Sequence, residues 1–562
     1  GAAVNGVYNS GGTVHIADAD IPATGEHGIN NAGTMTVEKV NIHGATQNGI
    51  QNTKELTITG SAVVTDSGKH GIYNGKTMEA ANVTVTNAGD LLLSNAGDMV
   101  IRGLKLTGTA QKAIYNAGYA ELYSATVDGA QIRNQTDATA QYLVDNNGCV
   151  LDLTDATIHD AWGTALHIRG SAAAAVTNVI IDGAGNYGTF VAGGSKLTGD
   201  GLVINNVAKN TEVSGAEGIG LKNQGKVTMM DHLTIGAYDA NLTGDGVTAL
   251  KETSGIANNN ALVLDAATAT FSGYNLTICN TPNGCAIYNK GTLYATDLHT
   301  NSVKDGVVCR YDGWATLSGQ VEIKNSTRNP VSVYGAEGKT YKNGVTLTEG
   351  TTLTIDTAGS HAINNKGSFL ASNNTVITIK NIAGQNINAI NNNGGTMVLD
   401  DVYVDGLYVT ISKNGDTINT NAGNALQTNN KLTLNGKVTV QNTFYKAEGG
   451  LKENSNGSGL VVKGSGVVDG TGSLTIIGSQ SAPVGYEGYT GLYNGIYDEK
   501  RNITLKGDVT ISGASNRGIE LTTGTIDVGN LSITDIGKRG VNNGNGKLYA
   551  KSLYIDTTVE NG

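Results

Sequence analysis

The stretch HGINNAG, residues 27–33, followed by the alternating run Thr34-Met35-Thr36-Val37, decides how the rest of the chain reads. Variants recur as NGIQN at 48–52, HGIYN at 70–74, KAIYN at 112–116, CAIYN at 285–289, HAINN at 361–365, NAINN at 388–392, TGLYN at 490–494 and RGVNN at 539–543. The shared frame is a polar residue, Gly or Ala, an aliphatic, any residue, then Asn. Taking the aliphatic as reference gives Val7, Ile29, Ile50, Ile72, Leu93, Ile114 and Ile132, at intervals of 22, 21, 22, 21, 21 and 18 residues. Two further segments alternate after each reference residue, as Met35/Val37 then Val40/Ile42, and Met99/Ile101 then Leu104/Leu106. Alternation with period two is the strand signature, and a frame repeated every 20 to 50 residues or so marks a stacked repeat. The sequence therefore predicts an all-β chain, a parallel β-helix solenoid of about 21 coils with three short strands per coil. At roughly 4.8 Å per coil this would be a rod on the order of 100 Å long.

Beyond Ile132 the reference residues are expected at Leu166, Phe190, Leu221, Ile256, Ile287, Val307, Val331, Ile363, Ile390, Leu426, Leu460, Leu492, Ile519 and Val541. The intervals lengthen, and the extra residues fall mostly just before the reference position, as at 238–255, 445–459 and 478–491. Insertions at one point of a repeat emerge along one edge of a stack. The expectation is a single domain over 1–562, with short regular coils over 1–134 and loop-decorated coils over 135–562. The chain opens on GAAVNGVYN, inside a repeat, and closes on VENG, which reads as a segment of a longer protein.

Composition agrees. Seventy-nine Gly, 4 Pro and 5% aromatic residues suit many short strands and tight turns, and 39% hydrophobic against 15% charged residues argues against disorder. A net charge of −11 without a concentrated basic patch speaks against nucleic acid as a partner. No run of 18 apolar residues occurs, so no membrane insertion is expected in this segment. Of Cys149, Cys279, Cys285 and Cys309, the pair Cys279/Cys285 flanks a turn and could close a loop disulfide; four unpaired thiols are the alternative.

The Asn two residues after the reference aliphatic recurs as Asn9, Asn31, Asn52, Asn74, Asn95, Asn116, Asn134, Asn223, Asn258, Asn289, Asn365, Asn392, Asn494 and Asn543. A column of amides at a bend can bond along the stack and to the turn backbone, so a structural ladder is expected rather than a ligand track.

Coils with an A/G-I-x-N-x-G-T frame resemble right-handed parallel β-helix proteins, the pectin-lyase-like fold shared by pectin lyases and autotransporter passengers. The resemblance covers nearly the whole chain through the residues quoted above. It implies the fold, not an activity. It also makes a polysaccharide lyase or glycoside hydrolase the first enzyme to consider, although the NTD, GHG and RIK strings of polygalacturonase-like members do not occur. If the chain is an enzyme, the candidate constellation is His159, Asp160, His167 and Arg169 in HDAWGTALHIRG, with Arg133 expected one coil before His167 on the outer face. His27, His70 and His361 fall in one column but not in adjacent coils, so no metal site and no cofactor is expected.

Binding surfaces are the stronger expectation. The position after the reference aliphatic faces outward and carries Tyr8, Tyr73, Tyr115, Tyr288 and Tyr493. The densest group is Tyr486, Tyr489, Tyr493 and Tyr497, and Arg310, Tyr311 and Trp314 form a second. Tyrosine is amphipathic and has few rotamers, which suits contact surfaces. The reading is a non-enzymatic bacterial adhesin, secreted or on the cell surface, a monomeric rod binding a host protein such as immunoglobulin or mucin, or a glycan.

Overall fold

The computed structural model describes residues 2, 4–134, 141–208, 210, 212–213, 216–236, 260–335, 342–414, 417–418, 422–447, 457–479 and 481–556. The chain divides into two compact units, Gly1–Gly284 and Cys285–Gly562, each considered on its own. Both are built of stacked parallel strands, and no helix occurs among the described residues. The arrangement is consistent with a β-helix-like solenoid.

In the first unit a column of short strands, Val7–Asn9, Ile29–Asn31, Ile50–Asn52, His70–Asn74, Leu91–Asn95 and Lys112–Asn116, pairs in parallel, each with the next. Val7, Ile29, Ile50, Ile72, Leu93 and Ile114 lie in register, as the frame predicts. All but Val7, in the first strand, are buried. Between these short strands run longer ones, such as Thr34–His43, Thr77–Ala88 and Asp98–Thr107. Their burial alternates, breaks for two outward residues, and resumes: Met35, Val37, Val40 and Ile42 are inside, and Glu38 and Lys39 outside. The break is a corner. Asn82, Gly103, Ser124, Asp155, Asn178 and Gly201 occupy it in successive layers, with φ from 47° to 87°. Asn, Asp, Ser and Gly stack there because short polar side chains and Gly tolerate the left-handed region.

The small residue of the frame has a steric origin. A Cβ on Gly28 would lie 2.4 Å from Ile42 Cγ2 and 2.6 Å from the Gly49 carbonyl oxygen. Both polar positions of the frame are ladders. Asn9, Asn31, Asn52, Asn74, Asn95 and Asn116 each donate Nδ2–H to the next Oδ1 at 2.8–2.9 Å, and the chain ends on Asn146. Two residues before the reference aliphatic, the side chain instead accepts a backbone N–H from the next layer. His27 Nδ1 takes Asn48 N–H at 3.2 Å, and Asn48 Oδ1 takes His70 N–H at 3.2 Å. In the second unit His361 Nδ1 takes Asn388 N–H at 2.9 Å, and Asn388 Oδ1 takes Asn424 N–H at 3.0 Å. His27 and His361 are thus backbone acceptors, and burial lowers their pKa, which favours the neutral ring this role needs.

Several reference positions differ from the sequence expectation. Ile114 pairs with Val144, not Ile132, so Asn146 rather than Asn134 continues the ladder. Leu166 pairs with Thr189 and Thr189 with Leu221, which turns Phe190 outward. Leu221 pairs with Leu262; Ile256, Asn258 and the insertion 238–255 lie outside the described residues. Leu460 pairs with Ile496, not Leu492, which puts Tyr497 rather than Tyr493 at the outward position and Asp498 rather than Asn494 in the ladder column. At Ile132/Val144 and Leu492/Ile496 the chain after an insertion offers two equally good aliphatics and only strand pairing chooses, whereas at Phe190 the neighbouring Thr189 takes the reference position. Val307, Val331 and Ile363 pair as expected.

Candidate functional site

The corrected register changes the company of His167. Its in-register neighbour is Asp145, and Arg133 instead lies over the Trp162 ring, 3.7 Å from its centroid. Asp145 is fully buried although it sits at the outward position of its strand. Arg169 donates to it through Nε to Oδ1 and Nη2 to Oδ2, both at 2.9 Å, and Lys112 Nζ donates to Oδ2 at 2.7 Å. His167 Nδ1 lies 3.4 Å from Oδ1. Burial alone would raise the Asp145 pKa, but His167, Arg169 and Lys112 outweigh it and hold the carboxyl well below its ordinary range.

Rings continue the cluster along the strands. His167 lies between Tyr142 at 4.2 Å and Phe190 at 5.0 Å between centroids, and Tyr187 tilts against Phe190 at 5.3 Å. Lys112 Nζ lies 5.5 Å from the Tyr115 ring and 5.4 Å from that of Tyr142. Lys222, in register with Phe190, bonds Glu217 at 2.9 and 3.0 Å and Tyr187 Oη at 3.2 Å. Burial opposes the Lys222 charge; Glu217 and Tyr187 more than offset this, and its pKa is raised. The result is a stripe of alternating rings and charges on one face of the short-strand column. The sequence showed Lys112, Asp145 and Phe190 only as isolated residues, because their convergence depends on the 30-residue step from Ile114 to Val144.

His159 and Asp160 belong elsewhere. They lie on the strand Thr157–Ala161, where Asp128, His159 and Asp182 stack in register. His159 Nδ1 is 2.9 Å from Asp160 Oδ2 and 3.8 Å from Asp128 Oδ1. One ligand atom from each of Asp128, His159 and Asp160 falls within 4.8 Å of the others, so this trio has the spacing to hold a cation. The five residues read as one constellation are thus three groups: His159 with Asp160, His167 with Arg169, and Arg133 on Trp162.

The tyrosines of the second unit also separate. Tyr486 stacks on Tyr408 at 3.8 Å and meets Tyr489 edge-on at 5.4 Å, while Tyr489 Oη lies 2.9 Å from Thr410 Oγ1. Thr490 pairs antiparallel with Tyr445, so the 481–491 segment is fastened to the strand Lys437–Ala447. Tyr493 instead packs edge-on to Tyr445 at 6.4 Å, and Tyr497 stands in the short-strand column between Val461 and Glu520.

Arg310 and Tyr311 lie near Tyr288, which the sequence placed outward, and near Lys290 and Tyr334, which it did not single out, whereas the contacts of Trp314 are with other residues. The Arg310 guanidinium lies 4.2 Å from the Tyr334 ring centroid and 5.9 Å from that of Tyr288. Lys290 Nζ lies 5.5 Å from both the Tyr288 and Tyr311 rings. Tyr311 is 47% exposed. Trp314 donates Nε1–H to Thr346 Oγ1 at 3.1 Å and lies over Gly344, where a Cβ would come within 2.8 Å of the indole. Of the four cysteines, Cys309 stands in the ladder column, and burial pushes its thiol up to about 12.

Compared with models of known protein families, with curated proteins and with solved structures, the chain matches none. Among the described residues no helix is long and apolar enough to cross a membrane.

Proposed function

We propose that this chain is a right-handed parallel β-helix of the pectin-lyase-like, autotransporter-passenger type, with about 21 coils and loops along one edge. In this reading it is a bacterial adhesin, secreted or on the cell surface, that binds a host protein such as immunoglobulin or mucin, or a glycan. The observation that carries it is the Arg310–Tyr334–Tyr288–Lys290–Tyr311 surface, where cations lie over tyrosine faces with Tyr311 open to solvent. Such surfaces combine low-entropy apolar area with charge and recur at binding hot spots. The test is binding of the whole chain to a glycan array and to immobilised immunoglobulin and mucin. Arg310→Ala with Tyr311→Ala should weaken the binding found by about 2 kcal/mol. Full binding by that variant removes this surface. If Tyr486→Ala with Tyr489→Ala then loses binding, the 481–491 segment takes its place.

The second reading, a polysaccharide lyase or glycoside hydrolase, draws on the Asp128–His159–Asp160 trio, which pairs carboxylates with an imidazole on an outward strand face. Depolymerisation of a polysaccharide that is lost in His159→Ala would favour it.

A further inference from the structure

Two tasks recur among the ladder amides, and Asn9, Asn31, Asn52, Asn95, Asn223 and Asn365 do both. The Oδ1 accepts a backbone N–H just downstream, as Asn31 Oδ1 accepts from Gly33 at 3.2 Å and Asn223 Oδ1 from Gly225 at 2.9 Å. The Nδ2 donates to a carbonyl at the start of the next layer's following strand. Asn31 donates to Glu55 O at 2.7 Å, Asn223 to Thr270 O at 2.8 Å, and Asn392 to Lys431 O at 2.9 Å. Near the end of the second unit the column runs Asn365, Asn392, Thr428, Val462, Asp498, Leu521. Asp498 is fully buried, with Val462 and Leu521 as its in-register neighbours. Its Oδ1 does the first task, accepting Arg501 N–H at 3.0 Å. Its Oδ2 is buried and has no hydrogen-bond partner. The carbonyl that register assigns to the second task is that of Thr525, since Lys431, Val467, Asn502 and Thr525 are successive in-register residues.

We infer that Asp498 serves the ladder as a neutral carboxylic acid, its Oδ2–H replacing the amide Nδ2–H and pointing to the Thr525 carbonyl, so that this layer loosens when the proton leaves. An ionised carboxylate has no proton to donate, and Oδ2 would then be a buried negative oxygen facing a carbonyl. Burial is the main influence on this group; it pushes the carboxyl up to about 7, against backbone donation from Arg501 and Lys500 and the charge of Arg501. The other titratable groups nearby are Glu499, Lys500 and Arg501 on its own turn. Lys463 follows Val462 in the preceding layer, and Arg517 and Glu520 pair at 2.7 Å in the following one. Lys463 is itself pushed down to about 8 by burial, against the pull of Glu499.

The sign follows from where the proton is held. Below about pH 4 the carboxyl keeps its proton in both the closed and the opened layer, so nothing is lost. As pH rises from about 4 to 7 only the opened layer releases it, and closure weakens. Above about 7 both are ionised and the loss is complete, on the order of a thousandfold in the opening equilibrium.

The experiment is hydrogen exchange of the whole chain and of Asp498→Asn, with protection factors for Arg501 and Thr522, whose amides bond Asp498. The expected ratio of variant to wild type is near one at about pH 4 and at least about tenfold by pH 8, with wild-type protection falling and the variant flat. A variant less protected than wild type at every pH, or one that fails to fold, would show that the carboxylate itself is required and overturn the inference. So would a pH dependence that persists in the variant, because it would then belong to Lys463. In wild type alone, a fall at Arg501 that is absent at Thr53, beside Asn52 in the first unit, is required as well.

Discussion

The short-strand column of the first unit and that of the second from Leu426 onward solve one problem differently. Between Asn9 and Asn146 the bend position is always Asn, and one amide chain runs through seven layers. From Thr428 to Leu521 the same position holds Thr, Val, Asp and Leu, before Asn returns at Asn543. Where the column is amide throughout, each side chain is held by its neighbours. Where it is not, a residue is buried apolar or must find its own partner, as Asp498 does with Arg501. The first unit shows the same break on a smaller scale: after Asn146 the column continues as Ile168 and Val191, and there the charged Asp145 cluster begins.

The largest effect separating column interior from column edge should come from Ile72→Asp. Ile72 is fully buried between Ile50 and Leu93, so a charge there should cost at least about 4 kcal/mol, whereas Tyr73→Asp, one residue on and facing outward, should cost little. Thermal melting of the two variants checks this, and equal melting points would mean that the inward assignment of the frame is wrong.

Next is Asp145→Ala, which leaves Lys112 and Arg169 without their shared carboxylate and should cost roughly 3–5 kcal/mol. Its pH behaviour is opposite to that of Asp498. The Asp145 pKa is lowered on folding, so its contribution is present above the unfolded value of about 4 and fades as pH falls below it. Denaturation of wild type and variant should therefore converge in acid, and a gap that widens in acid would contradict the assignment.

A smaller loss, about 1–3 kcal/mol, is expected for Asn52→Ala, which takes the acceptor from Asn31 Nδ2 and the donor from Asn74 Oδ1. Val462→Ala, at the corresponding position of the second unit, should show a cavity cost with no loss of amide protection in the next layer. The smallest effect should be Tyr486→Ala, about 1 kcal/mol and local, seen as faster proteolysis in 481–491 with unchanged global melting.

How much of this was legible varies along the chain. In the short coils of 1–116 the frame repeats at nearly constant spacing, so Ile29, Ile50 and Ile72 could be stacked by counting alone. His27 and His361 could be placed in one column but not given a role, because accepting a backbone N–H from the next layer leaves no trace in spacing. After an insertion counting holds at Leu426 and Leu460 but fails where two aliphatics compete. Ile132 and Val144 are both aliphatics two residues before an Asn, and Leu492 before Asn494 competes in the same way with Ile496 before Asp498. Choosing the wrong one displaced Arg133 into the place of Asp145 and Tyr493 into that of Tyr497.

The sequence by itself determined the all-β character, the inward column of aliphatics and the amide ladder, because these are set by period-two alternation and by a frame that lies within a single coil wherever it occurs. The tertiary structure decided which residues meet across layers: Lys112 with Asp145 and Arg169, Arg310 with Tyr334, Tyr486 with Tyr408. The physical reason is that a stack adds one layer per coil whatever the coil's length. Neighbours along the axis are therefore fixed by backbone pairing, and an insertion shifts the sequence distance between them without shifting their distance in space.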